Sequence, residues 1–286
     1  MIDKPAGPTS HDVVNRIRRL YALKRVGHAG TLDPPATGIL LVGLGRATRV
    51  LSFLQALPKT YRAVIRFGTT TTTQDATGDV VAERPCAFDR AALDGALADL
   101  TGDILQVPPM VSAVRVGGER LYKAARRGEE VERPARPVTV YEFSVESFDA
   151  AVWEATVVVR CSSGTYVRTL AADLGEALGC GAHLRSLRRE SIGSLGDGVP
   201  LRTLEEAGAP EREAHVLPMA AALRDLPSVR VAGDELAGVT HGRALPEVAA
   251  PGAGEGDAVV IADESGAVVA VYRRVGGGLQ PEAVLV

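Results

Sequence analysis

Residues 59–67, KTYRAVIRF, place Tyr61, Ala63, Ile65 and Phe67 at every second position, with Arg62, Val64 and Arg66 between them. That period of two predicts a strand with one buried face. Nearer the start the period changes. Val13, Ile17, Leu20 and Tyr21 recur at helical spacing, behind Ser10 as N-cap and Asp12 in the first turn. Arg16, Arg18, Arg19, Lys24 and Arg25 fall largely off that apolar stripe and read as a solvated face. The unbroken run Gly38–Leu44 suits a buried strand, and a short helix is expected from Arg46 to Ala56.

Further along, Ala91–Leu100 reads as a helix, and MVSAVRVGGERLY as a hairpin about Gly117–Gly118. Strands are expected at Val138–Phe148, Trp153–Cys161 and 182–193. The stretch SSGTYVRTLAADLGEALG reads as a strand end, a glycine turn and a helix closed by Gly179. Residues 203–225 are polar, helical connecting sequence, with Pro210, Pro218 and Pro227 as punctuation. After Val229 short strands and turns take over, two of them joined at Ser265–Gly266. These elements predict an α/β (α+β) fold: a mixed, mostly antiparallel sheet with flanking helices, then a small β-rich C-terminal domain. The boundary falls near 227, giving domains 1–227 and 228–286, and the charged, proline-closed stretch within 107–136 reads as a protruding arm.

The chain's 286 residues and 46% hydrophobic content are enough for a sizeable core. No apolar run approaches the roughly 18 residues of a membrane span. The opening MIDKPAGPTS lacks the basic start and apolar core of a signal peptide. Cys86, Cys161 and Cys180 are odd in number and unpaired in spacing, which fits a reducing cytosol. Net charge is −3, yet residues 1–50 carry eight basic and three acidic side chains, while 201–286 carry seven and thirteen. A phosphate-binding footprint therefore remains open to the N-terminal part.

Metal chemistry finds little support. The five histidines never pair closely, and Cys180 with His183 makes one half of a site without another half. GLGRAT lacks the third glycine of a dinucleotide loop, and neither a Walker loop nor a G-x-S-x-G elbow occurs. What remains is Asp33, inside VGHAGTLDPPATGILLVGLG. An Asp before proline is an ordinary turn former. Three other stretches change the picture: DKP at 3–5, KTY with Tyr61, and GTYVR, where Tyr166 and Arg168 share a face if extended. An Asp beside an Arg stays ionised at neutral pH, and beside aromatic rings it is a nucleophile next to a stacking platform for a planar base.

The stretches DKPAGPTSHDVV, RVGHAGTLDPPATGILLVGLGRATR, KTYRAVIRFG, TTTQDATGDVV, VPPMVSAVRVGGERLYKAARRGEEVERPARPVTVYE and CSSGTYVRTLAADLGEALGCGAHLRSLRRESIG run in order over roughly residues 2–195. In them the chain resembles bacterial tRNA pseudouridine synthases of the TruB family, which act at position 55 of the T-loop. The C-terminal part resembles, more weakly, a PUA-type RNA-binding domain. The resemblance implies a pseudouridine-synthase sheet and isomerisation without metal or cofactor. The implied partner is the tRNA T-arm, met by a cytoplasmic monomer that needs no membrane and no obligatory protein partner.

By the same resemblance Asp33 is the catalytic carboxylate, acting on uracil, on ribose, or by taking a ribose proton. Tyr61 stacks on the target base near C5, and Arg168 pairs with Asp33. Tyr166 and Leu187 line the base pocket, His28 fills the space left by the flipped nucleotide, and Lys4 with Pro5 shapes the cleft floor. Asp75 belongs to the charge network of Arg168, and the arm, with Arg115, Arg120, Lys123, Arg126 and Arg127, clamps phosphates. Departures from the family pattern are Pro35 in place of a larger apolar residue, threonines in 69–77 where relatives carry acids, an acidic C-terminal domain, and few residues ahead of IDKP. That last departure means a short first strand or a start set too late. Two rival readings are an RNA-binding chaperone in which catalysis is dispensable, and a glycoside hydrolase, which would want a second carboxylate near Asp33.

Overall fold

A computed structural model describes the chain except for Ala113, Gly117, Tyr122, Lys123, Ala125, Arg126, Glu130, Glu247 and Val286, and gives backbone alone for Arg115, Val116, Glu119 and Arg120. In chain order the strands are β1 (Ile2–Lys4), β2 (Val26–Ala29), β3 (Thr37–Leu44), β4 (Lys59–Phe67), β5 (Thr69–Thr71), β6 (Val80–Glu83), β7 (Gly102–Gln106), β8 (Arg115–Val116), β9 (Glu119–Arg120), β10 (Arg136–Asp149), β11 (Glu154–Cys161), β12 (Ala182–Ile192), β13 (Val199–Pro200), β14 (Ser228–Arg230), β15 (Ala258–Ala262), β16 (Val268–Val275) and β17 (Gly278–Val284). The helices are α1 (Ser10–Leu20), α2 (Leu51–Ala56), α3 (Arg90–Asp99), α4 (Val167–Ala177), α5 (Leu201–Glu206), α6 (Ala209–Ala214), α7 (Met219–Ala222) and α8 (Gly233–Thr240). The chain divides into two compact units. One holds Met1–Pro34, Gly38–Leu57 and Ile192–Val286; the other holds Pro35–Thr37 and Pro58–Ser191.

In the first unit β1 runs parallel to β13 and antiparallel to β3, and β2 also pairs antiparallel with β3. Helix α1 starts one residue earlier than its sequence suggests. Thr9, not Ser10, is the N-cap, and it forms a reciprocal capping box with Asp12. Ser10, released from capping, is buried and serves the loop ahead of β3. Val13, Val14 and Ile17 are buried, while Arg16 pairs with Glu205 and Arg18 donates to Asn15 and the Val26 carbonyl. The segment expected as one helix from Arg46 begins as a 3-10 turn, Gly45–Val50, before α2.

The C-terminal strands form a four-stranded sheet, β14-β15-β16-β17, with β14 parallel to β15. Alternate residues feed two cores. Val259, Ile261, Val269 and Tyr272 lie in one. Val260, Val268 and Val271 lie in another, with Ala29, Ile39, Leu41 and Phe53 from the start of the chain. Burial on both faces is why these strands read as continuous apolar runs.

In the second unit the strand order is β12-β4-β11-β10-β7. Strand β4 buries Tyr61, Ala63, Ile65 and Phe67, as the alternation predicts, and Lys59 as well. Its neighbour β11 pairs antiparallel and buries Ala155, Val157, Val159 and Cys161. Helix α4 approaches the start of β12 closely at Gly175, where a Cβ would lie 2.1 Å from the Ala182 nitrogen. No helix among the described residues is long and apolar enough to cross a membrane.

Candidate active site

Asp33 lies in a loop fixed from both sides. Ser10 Oγ accepts from the Leu32 amide at 2.8 Å and donates to the Leu32 carbonyl at 3.1 Å. The Pro34 carbonyl accepts from Lys4 Nζ at 3.1 Å and from the Gly7 amide at 2.8 Å. Lys4 is fully buried, and its ammonium also donates to its neighbour's carbonyl, Pro5, at 2.9 Å. Its work is to hold the Asp33 loop against β1. Gly30 and Gly38, at φ +87° and +102°, supply left-handed turns at the two ends of the loop, a conformation side chains resist. Asp33 itself is half-buried. His28 sits on β2 opposite Val42, also half-buried.

In the second unit Arg168 is the centre of a buried polar cluster. It is 4% exposed, and Nε lies 3.8 Å from Asp75 Oδ2. Its Nη1 donates to the Thr73 carbonyl at 3.1 Å and Nη2 to the Val111 carbonyl at 2.9 Å. Those bonds fix the plane of the guanidinium. The threonine run now has a purpose. Asp75 Oδ1 accepts from the hydroxyls of Thr73 (2.6 Å) and Thr77 and from the Thr77 amide (2.9 Å), while its carbonyl accepts from Thr71 at 2.7 Å. The loop is stitched to β12 through Ala76 and Gln74, both bonded to Leu184 at 3.0 Å.

Tyr166 and Arg168 do not share an extended face. Tyr166 is the N-cap of α4, in extended conformation, and Arg168 already stands in the first helical turn. The spacing of two is that of a helix entrance, not of a strand. Tyr166 is held by a residue its own motif does not contain. Gln106, 2% exposed at the end of β7, accepts from the Tyr166 amide at 2.7 Å and donates to its carbonyl at 3.1 Å. Tyr61 is buried on β4 and Leu187 half-buried on β12. Arg127 is exposed and pairs with Glu129 at 2.7 Å; Arg126 and Lys123 lie outside the described residues.

Two buried cations escape the sequence motifs. Lys59 is 4% exposed and Arg189 1%, on the neighbouring strands β4 and β12. Burial, then the charge of Arg189, push the Lys59 ammonium down to about 8, against a smaller opposing effect of Cys161. The Cys161 thiol is itself pushed up to about 11 by burial.

A cavity of 470 Å³ in the second unit opens beside the Arg168 cluster, lined by Thr73, Gln74, Val111, Arg133, Thr169 and Asp173. Burial raises the Asp173 carboxyl. A more apolar cavity of 310 Å³ in the first unit, between Ile17, Leu44, Leu54 and Met219, has no carboxylate in its lining.

The residues 18–167 match a family described as TruB family pseudouridylate synthase, N-terminal domain, and 168–224 match the tRNA pseudouridylate synthase B C-terminal domain. The tRNA pseudouridine synthase B of Thermobifida fusca is 46% identical over 99% of this chain and 97% of its own length. That of Burkholderia pseudomallei is 44% identical over 100% and 96%. Among solved structures, a Cbf5-Nop10-Gar1 complex superposes with a TM-score of 0.77 at 30% identity, over 100% of this chain and 84% of that one. An H/ACA RNP bound to a substrate RNA containing 2'-deoxyuridine gives 0.75 at 27%, with the same coverage. With both parts of the chain matched in this way and relatives similar over nearly its whole length, the chain belongs to the TruB family of pseudouridylate synthases.

Proposed function

We propose that the chain converts uridine 55 in the T-loop of tRNA to pseudouridine, with Asp33 acting on the ribose–uracil bond. The observation that carries this reading is the clamp on Leu32 and Pro34. An acid that only caps a turn has no need of α1 and β1 holding the residues on both sides of it. The reaction breaks the bond from C1′ to N1, turns the ring and joins C5 to C1′. A proton leaves C5 and N1 gains one, so no atom is added or lost and no redox partner is needed.

Arg168 keeps Asp33 ionised and oriented, Tyr61 stacks on the base, and Tyr166 and Leu187 close the pocket. The target is buried in folded RNA and has to be everted, at a cost of a few kcal/mol. His28 takes the vacated space. The arm within 107–136 meets phosphates, and its Arg127 has Glu129 to exchange for them. The relatives named above are tRNA enzymes, which supports tRNA as substrate. We place the catalytic residues in 1–227 and a PUA-like RNA contact in 228–286, in a monomer acting in the cytoplasm.

The test is a T-arm hairpin with uridine at the position of 55, incubated with enzyme and mapped for pseudouridine. Asp33→Asn removes the charge and nearly keeps the shape. Turnover is expected to fall by roughly 10⁴-fold, the scale of losing a reacting group, with hairpin affinity unchanged. Retained turnover, or a product mapped to another uridine, refutes the reading.

A further inference from the structure

The loop between β5 and β6 carries Asp75 against Arg168. From Asp75 to Thr77 it is an ordinary Asx turn, in which a side-chain oxygen accepts one amide. It holds more than such a turn needs. The hydroxyls of Thr73 and Thr77 donate to the same oxygen, Oδ1. The Thr73 carbonyl accepts from Arg168 Nη1, so one residue bonds both the carboxylate and the guanidinium. Between Thr73 and Asp75, Gln74 adopts φ +62°, a left-handed conformation that side chains resist. A tip that only had to reverse direction would be served by glycine there. Gln74 is instead held from two elements. Its carbonyl accepts from the Leu184 amide of β12 at 3.0 Å, and its side-chain oxygen from the buried Thr169 hydroxyl of α4 at 3.1 Å.

We propose that Thr73 and Thr77 are positioning residues for Arg168, acting through Asp75. The proposal rests on the reading that Arg168 orients the Asp33 carboxylate. Arg168 Nε lies 3.8 Å from Asp75 Oδ2, a charge contact longer than a hydrogen bond. Attraction at that length is weakly directional. It draws the two groups together without choosing how the carboxylate is rotated. The choice falls to the donors on Oδ1. With the Thr73 hydroxyl, the Thr77 hydroxyl and the Thr77 amide on that oxygen, Oδ2 is the one turned to the guanidinium.

Without the hydroxyls Oδ1 keeps the Thr77 amide alone. The carboxylate then turns about its Cβ–Cγ bond, a torsion with broad minima. The carbonyls of Thr73 and Val111 still accept from Nη1 and Nη2, so Arg168 stays in place and the error enters as a tilt of its fork. A tilt is felt in rate, because small misplacements of a group near the reacting atoms are costly. The threonines carry no charge and no ring, so phosphate binding and stacking do not depend on them.

Single-turnover formation of pseudouridine in the T-arm hairpin reads the chemical step, and filter binding of the same hairpin reads affinity. Thr73→Val and Thr77→Val each remove a hydroxyl and nearly keep the shape. Each is expected to slow the step by about 10-fold, and the two together by about 100-fold, the scale on which misplacement slows a reaction, with affinity unchanged. Thr73→Ser and Thr77→Ser keep the donor and are expected to keep the native rate. A loop that only supports the fold would slow every background alike. Action through Arg168 predicts instead that Thr73→Val adds nothing to Arg168→Lys, because the fork it positions is gone. A native rate in either Val variant overturns the proposal. So does a Thr73→Val effect of equal size with and without Arg168→Lys, or a Ser variant as slow as its Val counterpart. If Thr73→Val does not fold, Thr77→Val, at an exposed position, decides alone in the same two backgrounds. A native rate in Arg168→Lys refutes the reading of Arg168 and the proposal with it. A slow Arg168→Lys beside native Val variants refutes the proposal alone.

Discussion

A buried lysine leaves a signature in stability. In the folded chain Lys59 releases its proton near pH 8, whereas unfolded it holds it to about its ordinary 10.5. Between those values the unfolded state binds more protons, so this residue's contribution to stability rises with pH across that window. Below it the full cost is present, on the order of 3 kcal/mol. Lys59→Met is therefore expected to be more stable than the native protein at pH 7, with the gap closing towards pH 10.5, in urea titrations at several pH values. None of this was legible in KTYRAVIRF, where a leading lysine looks like the exposed end of a strand. Asp33 stands out in the sequence because glycines and prolines crowd it, though that pattern alone also suits a turn. Gln106 was not, since its role is to bond the backbone of Tyr166, sixty positions away. Gln106→Leu takes the acceptor from the Tyr166 amide, at about 1–3 kcal/mol, while the Tyr166 carbonyl keeps its bond from the Leu170 amide. The expected result is a lower urea midpoint and slower pseudouridine formation in the T-arm hairpin together; a change in neither means that Tyr166 is held by other means.

At the scale of elements, strict alternation fixed β4 to the residue, because a period of two admits one register. The helix ends were harder. Thr9 and Ser10 are both good caps, and the choice between them was made by Leu32, which takes the Ser10 hydroxyl from 22 positions away. Tyr166 and Arg168 look like strand neighbours until Gln106 pins the first as a helix cap. The glycine inside α4 also has a tertiary cause. Gly175 carries no turn, yet a Cβ there would meet the Ala182 nitrogen at 2.1 Å and the Gly181 carbonyl carbon at 2.3 Å. Both are backbone and cannot swing aside. By helix propensity Gly175→Ala gains about 1 kcal/mol. Overpacking reverses the sign, so a net loss of about 1–3 kcal/mol is expected in thermal or urea unfolding. A stabilised variant would mean that α4 can draw back from β12 freely.

For the whole molecule, the residues after 227, where the sequence changes texture, form a separate four-stranded sheet. That sheet does not have a core of its own on both faces. Val260, Val268, Val271 and Leu285 pack in one cluster with Ala29, Ile39, Leu41, Phe53 and Leu54, all within the first unit. Arg46 and Arg49 donate to the carbonyls of Leu285 and Val284, tying the last strand to the turn after β3. Sequence texture registers which residues alternate and which repeat. It does not register that one face of the last sheet is the lid of a core begun two hundred residues earlier. Cutting the chain after 227 would uncover that cluster, and buried Leu or Val side chains are worth about 1.5–3 kcal/mol each. Four of them exceed or match the whole stability of many domains. Residues 1–227 alone are therefore expected to aggregate, or to melt at least about 10 °C below the full chain, even though every residue assigned to catalysis is present. Val271→Asp in the full chain should do the same from a single position. It places an unpaired carboxylate where exposure is nil, far in sequence from Asp33. If residues 1–227 instead fold with the native melting temperature, the C-terminal sheet is an independent attachment, and its acidic surface is free to serve the RNA without supporting the site.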